Sequence, residues 1–244
     1  MKKLLIILLF AIVSMVIGYY IYDDPRPEGL RGERVEMLTD KMLEAIGADQ
    51  WEKLPMVAWS FSDAHHYVWD KQNQVAQVKW DDIEVAINLN DQSGEARKKG
   101  ELLSGENSQK AMEKAWKYWC NDSFWLIAPA KIRDPGTRRY LTKLDNGRDG
   151  IMVEYSGGGV TPGDVYLWEL DDDYLPKSYK MWVSIIPIGG VEATWESWEN
   201  LDGAMISTLH KVGPLPIKIT NLKTGNSPQD FGLESDYFMR WTKN

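Results

Sequence analysis

The densest gathering of residues that could do chemistry is Asp63, His65, His66 and Asp70, four side chains of metal-ligating type within eight positions. A metal site or a hydrolase would draw on such a set. In a strand, however, His65 and His66 point to opposite faces, so sharing one ion requires a bulge, and Asp63 with His65 supplies two ligands where three or four are needed. The spacing therefore predicts no metal site, and it places His65, Tyr67 and Trp69 along one side of a solvated hairpin. Asp171, Asp172 and Asp173 lack the further oxygens and the closing Glu of a calcium loop and read as a hairpin tip. Glu192, Glu196 and Glu199 flank Trp195 and Trp198 as paired carboxylates for sugar chemistry would, but they also fit a solvated strand face. Gly157, Gly158 and Gly159 follow a strand, yet the next residues (VTPGD) cannot open a phosphate-binding helix, so this is a turn. No G-x-S-x-G, H-E-x-x-H, Walker or dinucleotide fingerprint occurs, and no catalytic residue and no cofactor is predicted.

The aromatic residues are harder to account for by folding alone. Twelve Trp and eleven Tyr stand against five Phe, a bias toward rings that bury large areas and keep a polar handle. Predicted strands carry Trp59, Phe61, Trp80, Val85, Ile87, Val153, Tyr155, Trp168, Met181 and Val183. These ten are read as the wall of an elongated apolar cleft, in keeping with ligand sites that are mainly apolar with few polar groups. The plainer reading makes them core. Cys120, the only cysteine, follows Trp116, Tyr118 and Trp119 and reads as a small buried hydrophobe; no internal disulfide can form.

The elements that would position these residues begin with Leu4–Tyr22, nineteen residues without charge, about 28 Å long as a helix and enough to span a bilayer core. Lys2 and Lys3 before it and Asp23 and Asp24 after it orient the N-terminus inward. The expectation is a single-pass inner-membrane anchor (1–22) with the domain facing the periplasm; a cleaved signal peptide, with Val16 and Gly18 as the small residues before the cut, is the competing reading. Residues 23–32, rich in Pro, Gly and charge, read as a spacer, leaving 33–244 as one domain. Val35, Leu38, Met42, Ala45 and Ile46 repeat at helical spacing up to Gly47, and Ser108 is placed to cap a helix with Met112, Ala115, Trp116 and Trp119 on one face. Residues 90–107 read as a loop or a helical lead-in.

Ile83, Val85, Ile87 and Leu89 alternate with polar or small residues, the period of a half-buried strand. The same pattern recurs over 57–61, 76–80, 151–155 and 179–185, with later strands at 194–199, 204–211 and 216–221. Strands without a βαβ rhythm indicate an α+β fold, a curved antiparallel sheet forming an incomplete β-barrel wrapped on helices. The formal charge is −8, and the only possible basic run, Arg97, Lys98 and Lys99, sits between Glu95 and Glu101, which argues against a nucleic-acid partner.

Residues 121–137 (NDSFWLIAPAKIRDPGT) and 158–182 (GGVTPGDVYLWELDDDYLPKSYKMW) resemble bacterial extracytoplasmic proteins related to the outer-membrane lipoprotein carrier. The likeness covers about residues 33–222, and Trp125, Pro129, Lys131, Asp134 and Pro135 match its helix-to-strand passage, to which no catalytic role attaches. It implies a curved, incomplete barrel closed by helices, with a hollow that receives acyl chains of lipids or lipoproteins. Unlike the shuttling carrier, this chain has a predicted uncleaved anchor, and it lacks the Cys of a lipid-anchored receptor. A fixed, non-enzymatic binding module at the membrane surface is thus expected, with a lipid or acyl chain as ligand. Two alternatives remain: an envelope protein that binds a protein partner and no small ligand, and a hydrolase using His65 or His66.

Overall fold

The computed structural model describes residues 23–157 and 163–240. Leu4–Tyr22, Gly158, Gly159 and Trp241 lie outside the described residues, and no described helix is long and apolar enough to cross a membrane.

Helix α1 (Glu33–Ala45) buries Val35, Thr39 and Met42, one stripe at helical spacing. Gly47 then takes φ +63°, where a Cβ would collide with the Gly203 carbonyl, and the chain turns at once into a short helix not anticipated from the sequence, α2 (Ala48–Lys53), which buries Trp51. A first meander follows: β1 (Met56–Phe61), β2 (His65–Asp70), β3 (Val75–Trp80), β4 (Ile83–Asn88), β5 (Gly94–Lys98) and β6 (Glu101–Leu102). Helix α3 (Gly105–Ile127) and a 3-10 turn (Ala128–Arg133) lead to a second: β7 (Thr137–Lys143), β8 (Asp149–Tyr155), β9 (Val165–Leu170), β10 (Pro176–Trp182) and β11 (Val191–Thr194). The chain closes with β12 (Glu196–Leu201), β13 (Ala204–Val212) and β14 (Leu215–Gly225).

All pairings are antiparallel, in the order β6-β5-β4-β3-β2-β1-β14-β13-β11-β10-β9-β8-β7, with β12 beside β13. The sheet is curved and does not close into a barrel, and the class is α+β. Strand β14 joins the halves, pairing with β13 through Leu215–Lys218 and with β1 through Ile219–Gly225, with a register shift opposite Ala58 and Ser60. Because β6 and β7 are opposite edges of the sheet, α3 runs from one edge to the other and contacts β3, β4 and β5 of one half and β13 of the other. It fills the concave side.

Several expectations need correction. The segment 90–107 contains β5 and β6: only Ala96 of β5 is buried, so an edge strand with one core residue shows no apolar alternation. The helix expected from Ser108 starts at Gly105 with Ser104 as its N-cap. Strand β7 was not foreseen, because none of Thr137–Leu141 is fully buried. The strand expected through Ile185 ends at Trp182, and Ile185 is 74% exposed. The 194–199 strand divides at Trp195 into β11 and β12. Residues 23–32 are not a free spacer: Trp182 Nε1 donates to the Asp24 carbonyl at 2.6 Å, Asp24 pairs with Lys180 at 2.8 Å, and Leu30 forms a β-bridge with Leu141. After β14 the tail packs outside the first meander, where Phe238 is buried with Met56, Val68 and Val75.

Candidate functional site: the concave interior and its cleft

The inner stripe of α3 is Ala111, Ala115, Trp119, Asp122 and Leu126, all buried. A carboxylate in that stripe requires partners, since a buried unpaired charge is too costly to keep. Tyr67 Oη donates to Asp122 Oδ2 at 2.5 Å, His65 Nδ1 donates to the same oxygen at 2.6 Å, and Asn121 Nδ2 donates to Asp122 Oδ1 at 2.7 Å. His65 also stacks on Tyr118, with ring centroids 3.7 Å apart. Asp122 is 1% exposed and Tyr67 2%, so the hairpin β1–β2 is stapled to α3 away from water. Burial raises the Tyr67 hydroxyl well above its ordinary value, and the Asp122 charge adds to it. The solvated hairpin expected from the sequence is therefore a buried one on this side.

His66 points to the other face, where its Nδ1 lies 2.7 Å from Ser60 Oγ, which also accepts from Asn221 Nδ2. Ser60 is buried, and among the described residues no carboxylate lies in ion-pair range of His66. Asp63 accepts from Thr220, and Asp70 accepts from the backbone and side chain of Asn73. The four residues are thus dispersed to four local tasks, and among the described residues no three His, Cys, Asp or Glu side chains gather as a metal would need. Asp171 accepts from Asp173 N and Leu175 N in its turn, and Glu196 and Glu199 are held by Lys211 and Thr208. Burial raises the Cys120 thiol to about 11.

The ten predicted wall residues do face the interior, in two clusters. Trp59, Trp80, Val85 and Ile87 pack with Trp119, Ala111 and Ala115 of α3; Val153, Trp168, Met181 and Val183 pack with Trp125, Tyr179 and Trp195, joined by Tyr155. Phe61 touches both clusters. Trp59 stacks on Tyr67 at 4.6 Å, and Trp168 meets Tyr179 and Trp195 edge-on at 4.9 and 5.2 Å. Between Trp125 and Trp195 lies His210, 0% exposed, with Nδ1 3.2 Å from the Thr194 carbonyl and burial lowering its imidazole to about 4. Among the described residues, five donors of this interior have no acceptor: the indole N–H groups of Trp59, Trp69, Trp168 and Trp195, and the Tyr155 hydroxyl.

The open space lies at one end of the interior. A cleft of about 380 Å³ is bounded by Trp51, Trp69, Lys71, Ile127, Ala130 and Lys131. Behind Trp51, Ile127 and Ala130 an apolar slit of about 10 Å³ reaches Trp195, Trp198 and Ile206, room for about one water. None of the ten wall residues lines either space.

Among solved structures, the chain is similar to the crystal structure of a DUF1329 family protein from Desulfovibrio piger, with 12% sequence identity and a TM-score of 0.42, over 85% of this chain and 98% of that one. No protein-family model matches the chain, and no curated protein does.

The sequence reading missed Asp122, Trp51, Lys71 and His210. Asp122 left a signal, an acid falling in register with Ala111, Ala115, Trp119 and Leu126. Lys71 left none, since a lysine after Asp70 in a turn is ordinary until a helix from elsewhere covers it.

Proposed function

We propose that the chain is an envelope binding module, tethered to the inner membrane by Leu4–Tyr22 and facing the periplasm, which takes an apolar chain between α3 and the curved sheet. The ligand is a lipid or the acyl chain of a lipoprotein. One observation carries this reading: the five donors without acceptors in the concave interior. Buried indole and phenol groups ordinarily find partners, and each one left unpaired costs about 1–3 kcal/mol. Such groups in both clusters are poorly explained by a core selected for stability, whereas an acyl ester brings a carbonyl oxygen within reach of one of them and methylenes to the rings around the others. The closed slit means that entry requires α3 to shift outward, and α3 is a single crossover between the sheet's two edges. The resemblance of residues 121–137 and 158–182 to the lipoprotein carrier group agrees with this reading.

The test is solvent extraction and mass spectrometry of the purified full chain. Lipid or lipoprotein recovered at a reproducible ratio near one per chain is the expected result. A chain free of lipid that instead cross-links to one envelope protein at fixed stoichiometry would mean that the interior is core and the protein a partner-binding one.

A further inference from the structure

The geometry points to an anion-binding subsite in the cleft beside Lys71, which seats the negatively charged headgroup of a single-chain amphiphile whose tail runs over Trp51 and Ile127 toward the apolar slit. This rests on the apolar-chain reading and specifies the polar end of that ligand.

Lys71 is 9% exposed and is the one buried lysine or arginine among the described residues. A buried ammonium normally has a carboxylate beside it. Here, among the described residues, no acidic group lies in ion-pair range; its Nζ donates to the Trp51 carbonyl, the faces of Trp51 at 4.2 Å and Trp69 at 5.7 Å add attraction, and Glu52 acts on it only from outside that range. One carbonyl and two ring faces leave donor capacity on a group with three N–H bonds. Desolvation, which Glu52 offsets only in part, lowers its ammonium to about 8, so an anion arriving in the cleft adds the compensation that is still missing.

The surroundings fit an amphiphile better than a free ion. The cleft carries three cations, Lys53, Lys71 and Lys131, against two acids, Glu52 and Asp134, beside the apolar surface of Trp51, Trp69 and Ile127, so an excess of positive charge and an apolar wall share one space. Lys131 is tied to Asp134, which leaves Lys71 as the inner cation. Trp51, Ile127 and Ala130 also bound the slit, so a tail leaving the headgroup points along these side chains toward the interior, which it enters as α3 shifts outward. In a chain of formal charge −8, an anion gains little from long-range attraction. Selectivity for a negative head must come from this local group.

The experiment measures binding of dodecanoate, dodecanol and dodecyltrimethylammonium to the full chain in zwitterionic nanodiscs, with empty discs as blanks. Dodecanoate is expected to bind at least about tenfold tighter than dodecanol, the effect of one charge-assisted hydrogen bond. In K71M the two affinities should converge, and K71R should restore the preference. Dodecanoate should also protect Lys71 from an amine-acylating reagent, which a purely structural lysine would not show. Equal binding of dodecanoate and dodecanol to the parent chain, or a preference that survives K71M, overturns the subsite and leaves the apolar-chain reading standing. Failure of all three to bind removes both.

Discussion

The two halves of the concave interior hold α3 by different means. Against the first meander, α3 is fixed by a charge: Asp122 takes hydrogen bonds from Tyr67 and His65, and the surrounding wall is Val, Ala and Trp packed on Ala111, Ala115 and Trp119. Against the second, Trp125 of α3 packs among the rings of Tyr179 and His210 in the cluster of Tyr166, Trp168 and Trp195, and the polar tie there is a hydrogen bond between neutral His210 and the Trp125 backbone, with no ionised partner. A hydrogen-bonded carboxylate has one geometry, whereas ring faces tolerate sliding and replacement by another apolar surface. The contrast predicts that, where α3 moves, it pivots on the first half and opens from the second.

Breaking the staple should have the largest effect. Asp122→Ala leaves the Tyr67 and His65 donors without their acceptor and opens a space beside Trp119, and should lower stability by about 2–4 kcal/mol in urea unfolding. A loss below about 1 kcal/mol would make the two halves equivalent. Next in size is acid sensitivity in the other half. The folded-state value of His210 is about 4 against an ordinary 6.5, so the unfolded chain takes up this proton first. Its contribution is complete above pH about 6.5 and is lost as pH falls toward about 4, reaching about 3 kcal/mol. His210→Phe should flatten that part of the stability profile; an unchanged slope would show that another group carries it.

The smallest effect separates the halves most sharply, because the same kind of change is made in both. Tyr67→Phe removes a donor to a charged acceptor and should cost about 2 kcal/mol. Trp168→Phe loses ring volume worth about 1 kcal/mol but also removes a buried N–H without an acceptor, so the net should fall within about 1 kcal/mol of zero. Comparable losses in thermal melts would erase the contrast.

What the sequence made legible follows from periodicity. Strands with a buried face, such as Val75–Trp80 and Ile83–Asn88, alternate and were read correctly, as was α1 up to Gly47. Edge strands were not: β5, β6 and β7 meet the core with one residue or none, so their pattern is that of a loop. The inward set of aromatic and aliphatic residues was legible because a strand sends alternate side chains to one face. The residues that bond or charge the interior were not, since Asp122 with His65, or Lys71 with Trp51, meet only after the chain has crossed the sheet or turned a corner. The sequence left open whether helices or an apolar guest cover the concave face, and α3 covers it. An apolar face predicts burial without saying whether the protein or a ligand provides the cover.

The most direct measurement is quenching of tryptophan emission by an acyl chain brominated near its methyl end, added to the full chain in nanodiscs of unbrominated lipid. If α3 swings out from the second half, quenching is saturable and is lost when Trp168, Trp195 and Trp198 are all replaced by Phe. Quenching that never saturates, or that is absent while the chain remains folded, would contradict an interior that admits an apolar guest.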